Sequence, residues 1–224
     1  MCFTERQSFI NVIILIIGSI FVYPKYRLTI FLIFLASKDL IQGFLYKYQH
    51  NEKLEKNLTI LSWIHICFQP LFVNMFISYF SEKKYNNYWN IIFVICLLYG
   101  IYTLTTLKEF DIQNDPHCNK IDKNDDFCSK YTTSYIGKYH IAYKFNRDND
   151  RIFFPIIHLI LIFVPSLFTN CRILGIIWGL FVILIYIYFN DIGNGEKAAI
   201  WCFLSIVFFL PIAIFNKQIS KYLR

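Results

Sequence analysis

Residues Leu58–Phe80 read LTILSWIHICFQPLFVNMFISYF, 23 residues without one Asp, Glu, Lys or Arg. At about 1.5 Å per residue such a run crosses a hydrocarbon core of roughly 30 Å as one helix. Similar blocks lie on both sides of it: Ser8–Tyr23, Leu28–Tyr46, Tyr88–Leu107, Ile152–Phe168, Ile173–Phe189 and Ala198–Phe215. The reading is an all-α membrane protein, a bundle of seven transmembrane helices forming one polytopic domain over residues 1–224. One long polar loop, 108–151, joins helices 4 and 5 on the outer side.

Composition agrees. Hydrophobic residues make up 56% and charged residues only 17%, against about 25% charged in an ordinary soluble domain. A soluble core could not hide seven such blocks. The first is read as a retained helix, because Glu5 stands beside Arg6 and no small-x-small cleavage site precedes Tyr23-Pro24. The net charge of +7 sits in short connections and at the C-terminus, which orients membrane helices and does not form a nucleic-acid-binding stripe.

Lys25, Arg27, Lys83, Lys84, Arg172, Lys217, Lys221 and Arg224 share one side, opposed only by Glu82. Bases on the other side are cancelled by Glu52, Glu55, Asp111, Asp115, Asp122, Asp125, Asp126, Asp148 and Asp150. The positive-inside rule then places the N-terminus outside or in a lumen and the C-terminus in the cytoplasm. The glycosylation sequon at Asn57 and the pair Cys118 and Cys128 fall on the outer side, where an oxidising compartment permits a disulfide. Within the long loop, Thr132–Phe145 (TTSYIGKYHIAYKF) interleaves Tyr and Ile with polar residues around Gly137. It reads as a β-hairpin or a lid on the membrane surface, with a flexible loop as the alternative.

Ionisable groups inside membrane helices are expensive, so each marks a candidate site. The second helix carries Lys38, Asp39 and Gln42, the third Ser62, His65, Gln69 and Asn74, the fifth His158; Glu196 opens the seventh. At 100° per residue Ser62, His65 and Gln69 share one helix face, and Asp39 and Gln42 share another. Asp39, His65 and His158 lie roughly 9–12 Å below the outer ends of their helices, which predicts one polar layer beneath the long loop. Three chemistries fit. Asp39, His65 and His158 form a three-ligand set for zinc with a position open to water, which would make the protein a lipid hydrolase. Asp39, Gln42, His65, Gln69, His158 and Glu196 alternatively build a ligand or ion site, receptor-like or transporting, with Asp39, His65 and Glu196 able to relay protons. The plainest reading is interhelical hydrogen bonding in a structural protein. Lys38 either pairs with an acid or snorkels.

Known seven-helix classes can be tested. A retinal protein needs a lysine inside the last helix, where Lys197 and Lys217 only flank it. A typical G-protein-coupled receptor would show Asp-Arg-Tyr and Asn-Pro-x-x-Tyr motifs, where this chain has FISYF at 76–80 and FFLPIAIF at 208–215. Alkaline-ceramidase-like hydrolases carry a His-x-x-x-His pair in the last helix, and Lys197–Ser205 (KAAIWCFLS) lacks it. Trp63–Pro70 (WIHICFQP) with Asn74, then Gly195-Glu196 leading to Trp201-Cys202, and the segment Gly137–His140 (GKYH) are the informative residues. On them the chain resembles an uncharacterised family of seven-helix membrane proteins from large DNA viruses and algae. That resemblance implies the fold and carries no activity.

Overall fold

A computed structural model describes residues 4–107, 128–146 and 153–223. The chain is mostly helical: α1 (Glu5–Val22), α2 (Tyr26–Lys47), α3 (Glu52–Ser78), α4 (Asn86–Thr105), α5 (Phe153–Leu167), α6 (Arg172–Tyr188), α7 (Asn194–Ile214) and α8 (Asn216–Leu223). Five of these, α1 to α4 and α7, are long and apolar enough to cross a bilayer, and α5 and α6 are shorter apolar helices. Their outward faces carry exposed apolar side chains such as Ile17, Phe21, Ile91, Leu98, Leu184, Ile187 and Val207. Lipid tails tolerate such surfaces and water does not.

Helix ends follow local chemistry. Thr4 caps α1 in a capping box, accepting from Gln7 N at 3.4 Å while Gln7 Oε1 accepts from Thr4 N at 3.1 Å. α3 begins six residues before the apolar run that predicts it, because Asn51 Oδ1 accepts from Leu54 N and Glu52 and Glu55 lie in the first turn. A capping amide and acids near the positive end of the helix dipole extend α3 beyond the apolar run. α8 was not expected. It is fastened by Asn170 Nδ2, which donates to Leu223 O at 3.0 Å, and by Tyr79 OH, which donates to Asn216 Oδ1 at 3.3 Å.

α3 is the central post, packing on α2, α4 and α5, while α7 packs on α1, α2 and α6. The core has two parts. One is aromatic, with Phe31, Phe76, Trp89, Trp178, Trp201 and Phe209. The other collects Leu45, Trp63, Cys67 and Ala199 beneath a β-hairpin. That hairpin qualifies the all-α expectation: β1 (Cys128–Ile136) and β2 (Ile141–Asn146) pair antiparallel, with Ile136 opposite Ile141 and Ser134 opposite Tyr143. Its inward side chains Ile141, Tyr143 and Phe145 are buried, so it is a packed lid. Cys118 lies outside the described residues and only the backbone of Cys128 is described, so the expected disulfide falls outside them too.

Candidate functional site

Two buried carboxylates fasten the hairpin to the bundle. Glu55, in the first turn of α3, accepts from the Ser134 backbone N–H, from Ser134 Oγ at 2.7 Å and from Thr133 Oγ1 at 3.3 Å. Its own helix adds Thr59 Oγ1 at 2.8 Å. Glu196, in the first turn of α7, takes the other end. It accepts three successive backbone N–H groups of the turn, Lys138 at 3.1 Å, Tyr139 at 2.5 Å and His140 at 2.9 Å. Consecutive amides aimed at one point make an anion-binding concavity. Gly137 is required there, since a Cβ at 137 would run into the Glu196 carboxylate and into His140 O. The sequence separates Gly137–His140 from Glu196 by more than fifty residues, so spacing could not join them. Nothing in the sequence around Glu55 distinguishes it from any other charge on the outer side.

Under the hairpin lies a cavity of about 70 Å³, lined by Trp63, Ile66, Gln69, Tyr143, Phe145, His158, Leu159, Tyr186, Gly195, Ala198, Trp201 and Cys202. A single buried water needs roughly 10–15 Å³ by this measure, so the space holds more than one. Its walls are mostly apolar, and its polar groups converge. Gln69 Oε1 faces His158 Nε2 at 3.4 Å, Gln69 Nε2 donates to Cys202 Sγ at 3.8 Å, and His158 Nδ1 meets Tyr99 OH at 3.5 Å.

Behind Tyr143 sits Lys38, 1% exposed, whose ammonium donates to Tyr143 OH at 3.1 Å and lies 4.3 Å from the centroid of the same ring. Among the described residues Lys38 therefore forms no ion pair with an acid, and it is buried instead of snorkelling; it holds the hairpin from below. His140 is buried beside it. Its Nδ1 accepts from Ile141 N at 2.6 Å, and burial and the Lys38 charge push its pKa from 6.5 down to about 3, so the imidazole is neutral.

The remaining expected site residues separate. His65 Nε2 donates to Phe34 O at 2.8 Å and its ring stacks on Phe34, tying α3 to α2. A carbonyl only accepts, which fixes the proton on Nε2. Asp39 lies beside the Asn11 amide of α1, and Gln42 is fully buried. Of the six candidates, Gln69 and His158 come together, Asp39 lies beside Asn11 of α1, and Glu196 is engaged by the hairpin. Asp39, His65 and His158 do not converge, and no three His, Cys, Asp or Glu side chains form a metal-holding group among the described residues. Asn57 is exposed on the second turn of α3. Asn74 has a role its sequence position did not specify: Nδ2 donates to Pro70 O and to Leu161 O, both at 2.7 Å, joining α3 to α5.

Apolar helices suited to a lipid bilayer, with a polar-clamped hairpin over one end, define the class of protein. The chain belongs to the family of unknown function DUF5765, which matches residues 7–223, nearly its whole length. No curated protein and no solved structure matches it.

Proposed function

We propose that this chain is a seven-helix integral membrane protein that binds a small, mostly apolar molecule in the outward-facing cavity beneath its hairpin. The role is one of binding, receptor-like or transporting. The observation that carries the reading is the cavity itself: aromatic and aliphatic walls with a few convergent polar groups, Gln69, His158 and Cys202, are the usual make-up of a small-molecule site. The ligand class follows. An apolar body would rest on Trp63, Phe145, Leu159 and Trp201, and one hydrogen-bonding head would meet the Gln69 amide or the His158 imidazole.

The topology rests on the basic residues at one end of the helices and the hairpin at the other. α5 and α6, with 15 and 17 residues, reach about 22–26 Å at 1.5 Å per residue, short of a typical core but within what local thinning accommodates. With the C-terminus cytoplasmic, the hairpin, Asn57 and the cavity lie on the outer or lumenal side.

Trp63 and Trp201 both line the cavity, which supplies a direct test. A brominated benzyl alcohol, a heavy-atom quencher of the proposed shape, should quench the fluorescence of the detergent-purified protein along a saturating curve. Ala198→Phe, which fills the cavity, should turn that curve into a shallow straight line. Linear quenching in the unmodified protein, no different from Ala198→Phe, would refute the binding reading.

A further inference from the structure

The seam between α1 and α2 has a register that three contacts define. The Phe9 ring lies 3.0–3.2 Å from where a Cβ of Gly43 would stand, Leu32 lies 3.6 Å from the corresponding point at Gly18, and Asn11 faces Asp39. Carried along the two antiparallel helices at equal rise, the register that sets Asn11 against Asp39 puts Ser8 level with Gln42, Leu15 with Leu35 and Val22 with Leu28. The lower rungs are apolar and the two upper rungs are wholly polar.

Those polar rungs are left with unpartnered atoms among the described residues. Ser8 Oγ, Asn11 Nδ2, Asp39 Oδ1 and both amide atoms of Gln42 are buried without a hydrogen-bond partner among protein groups. Ser8 and Gln42 are 0% exposed and Asp39 is 2% exposed. Buried polar atoms in such a group call for a partner, since each orphan costs about 1–3 kcal/mol and a charged one more. Lys38 does not supply it. Neighbouring residues on a helix point about 100° apart, and the Lys38 ammonium is turned to Tyr143. Among the described residues no ion pair engages Asp39.

We propose that the Ser8, Asn11, Asp39 and Gln42 rungs bind a monovalent cation, sodium being the test ion. One carboxylate and three neutral oxygens, from a hydroxyl and two amides, are hard donors that suit a hard cation. A single carboxylate matches a single positive charge. Asn11 and Gln42 each present an oxygen once their amides are turned, a choice that hydrogen-bond partners decide. The site is separate from the cavity, which is lined from α3, α5, α6, α7 and the hairpin. It therefore stands or falls apart from the binding reading above. The positive charge of Lys38 weakens the ion's hold, which calls for titration to high salt.

The experiment is thermal melting of the full chain in detergent, titrated with sodium chloride or choline chloride at matched ionic strength. A site occupied by sodium raises the melting temperature by about 2–4 °C once the ion exceeds its dissociation constant roughly fivefold. Choline should give no such rise, and Asp39→Asn should abolish it. Should Asp39→Asn fail to fold, Ser8→Ala carries the test, moving the sodium midpoint several-fold higher. Equal melting curves in sodium and choline would overturn the proposal and leave the rungs to ordered water or a proton. A sodium effect unchanged in Ser8→Ala and in any folded Asp39→Asn would overturn it as well, placing the ion elsewhere.

Discussion

Replacing Glu196 by Gln keeps the shape of the side chain and removes its charge, which isolates what the carboxylate does for the hairpin. Glu196 Oε1 accepts from Tyr139 N and His140 N, and Oε2 accepts from Lys138 N. Glutamine can keep two of these on its one carbonyl oxygen; the third N–H then meets an NH2 group. Bonds to a charged acceptor are worth about 1.5–3 kcal/mol and neutral ones about 0.5–1.5 kcal/mol. Two bonds weaken by about 1 kcal/mol each and the third is lost, a sum of roughly 3–5 kcal/mol. Lys138 is exposed, so water recovers part of that, leaving about 2–3 kcal/mol. Local opening of the turn should rise roughly 30- to 150-fold at that energy. Hydrogen exchange read by mass spectrometry on peptides covering 137–141 measures it directly. The Ser134 amide, held by Glu55, should stay protected. Turn amides in Glu196→Gln that exchange within threefold of the unmodified protein would refute the clamp.

Acid should loosen the same turn through His140. Its pKa in the docked hairpin is about 3 against 6.5 when released, so below 6.5 the released form binds a proton that the docked form does not. Docking is at full strength above that pH and weakens as the pH falls toward 3; by pH 5.5 opening should rise about tenfold, after correction for intrinsic exchange. His140→Asn should flatten this dependence, and equal slopes in both proteins would count against it. Tyr143→Phe leaves the Lys38 ammonium over a ring but without its oxygen acceptor, at a cost of about 1.5–3 kcal/mol. Adding Lys38→Met should restore most of that loss in a double-mutant cycle, and strict additivity would show the contact to be idle. Asn74→Leu removes both 2.7 Å bonds and should cost about 1–2 kcal/mol, seen as a melting temperature lower by about 2–8 °C. An unchanged melting temperature would mean that the α3–α5 join lies elsewhere.

The helices were legible because an apolar run of membrane length needs no partner to be recognised. The alternation in Thr132–Phe145 likewise exposed the hairpin. Its attachment was hidden. Glu196 and Glu55 each meet the hairpin across more than fifty residues, and nothing local to either acid announces three aligned amides. His65, Gln69 and His158 are all buried, yet of these only Gln69 and His158 face each other. A helix wheel gives the face of one helix and not which helix it meets. His65 therefore bonds the Phe34 carbonyl instead of joining Asp39 and His158. Lys38 was the least legible of all, because its acceptor is a tyrosine in a loop read as lying above the membrane.

The clamp also orders the protein's assembly. The hairpin is synthesised between α4 and α5, before the ribosome has made α7. Until Glu196 arrives, the Lys138, Tyr139 and His140 amides lack that carboxylate, and the hairpin has its Glu55 and Lys38 attachments to dock by. The lid therefore stays partly fastened until α5, α6 and α7 have been made. A fully closed turn therefore requires that α7, the last long helix, is in place.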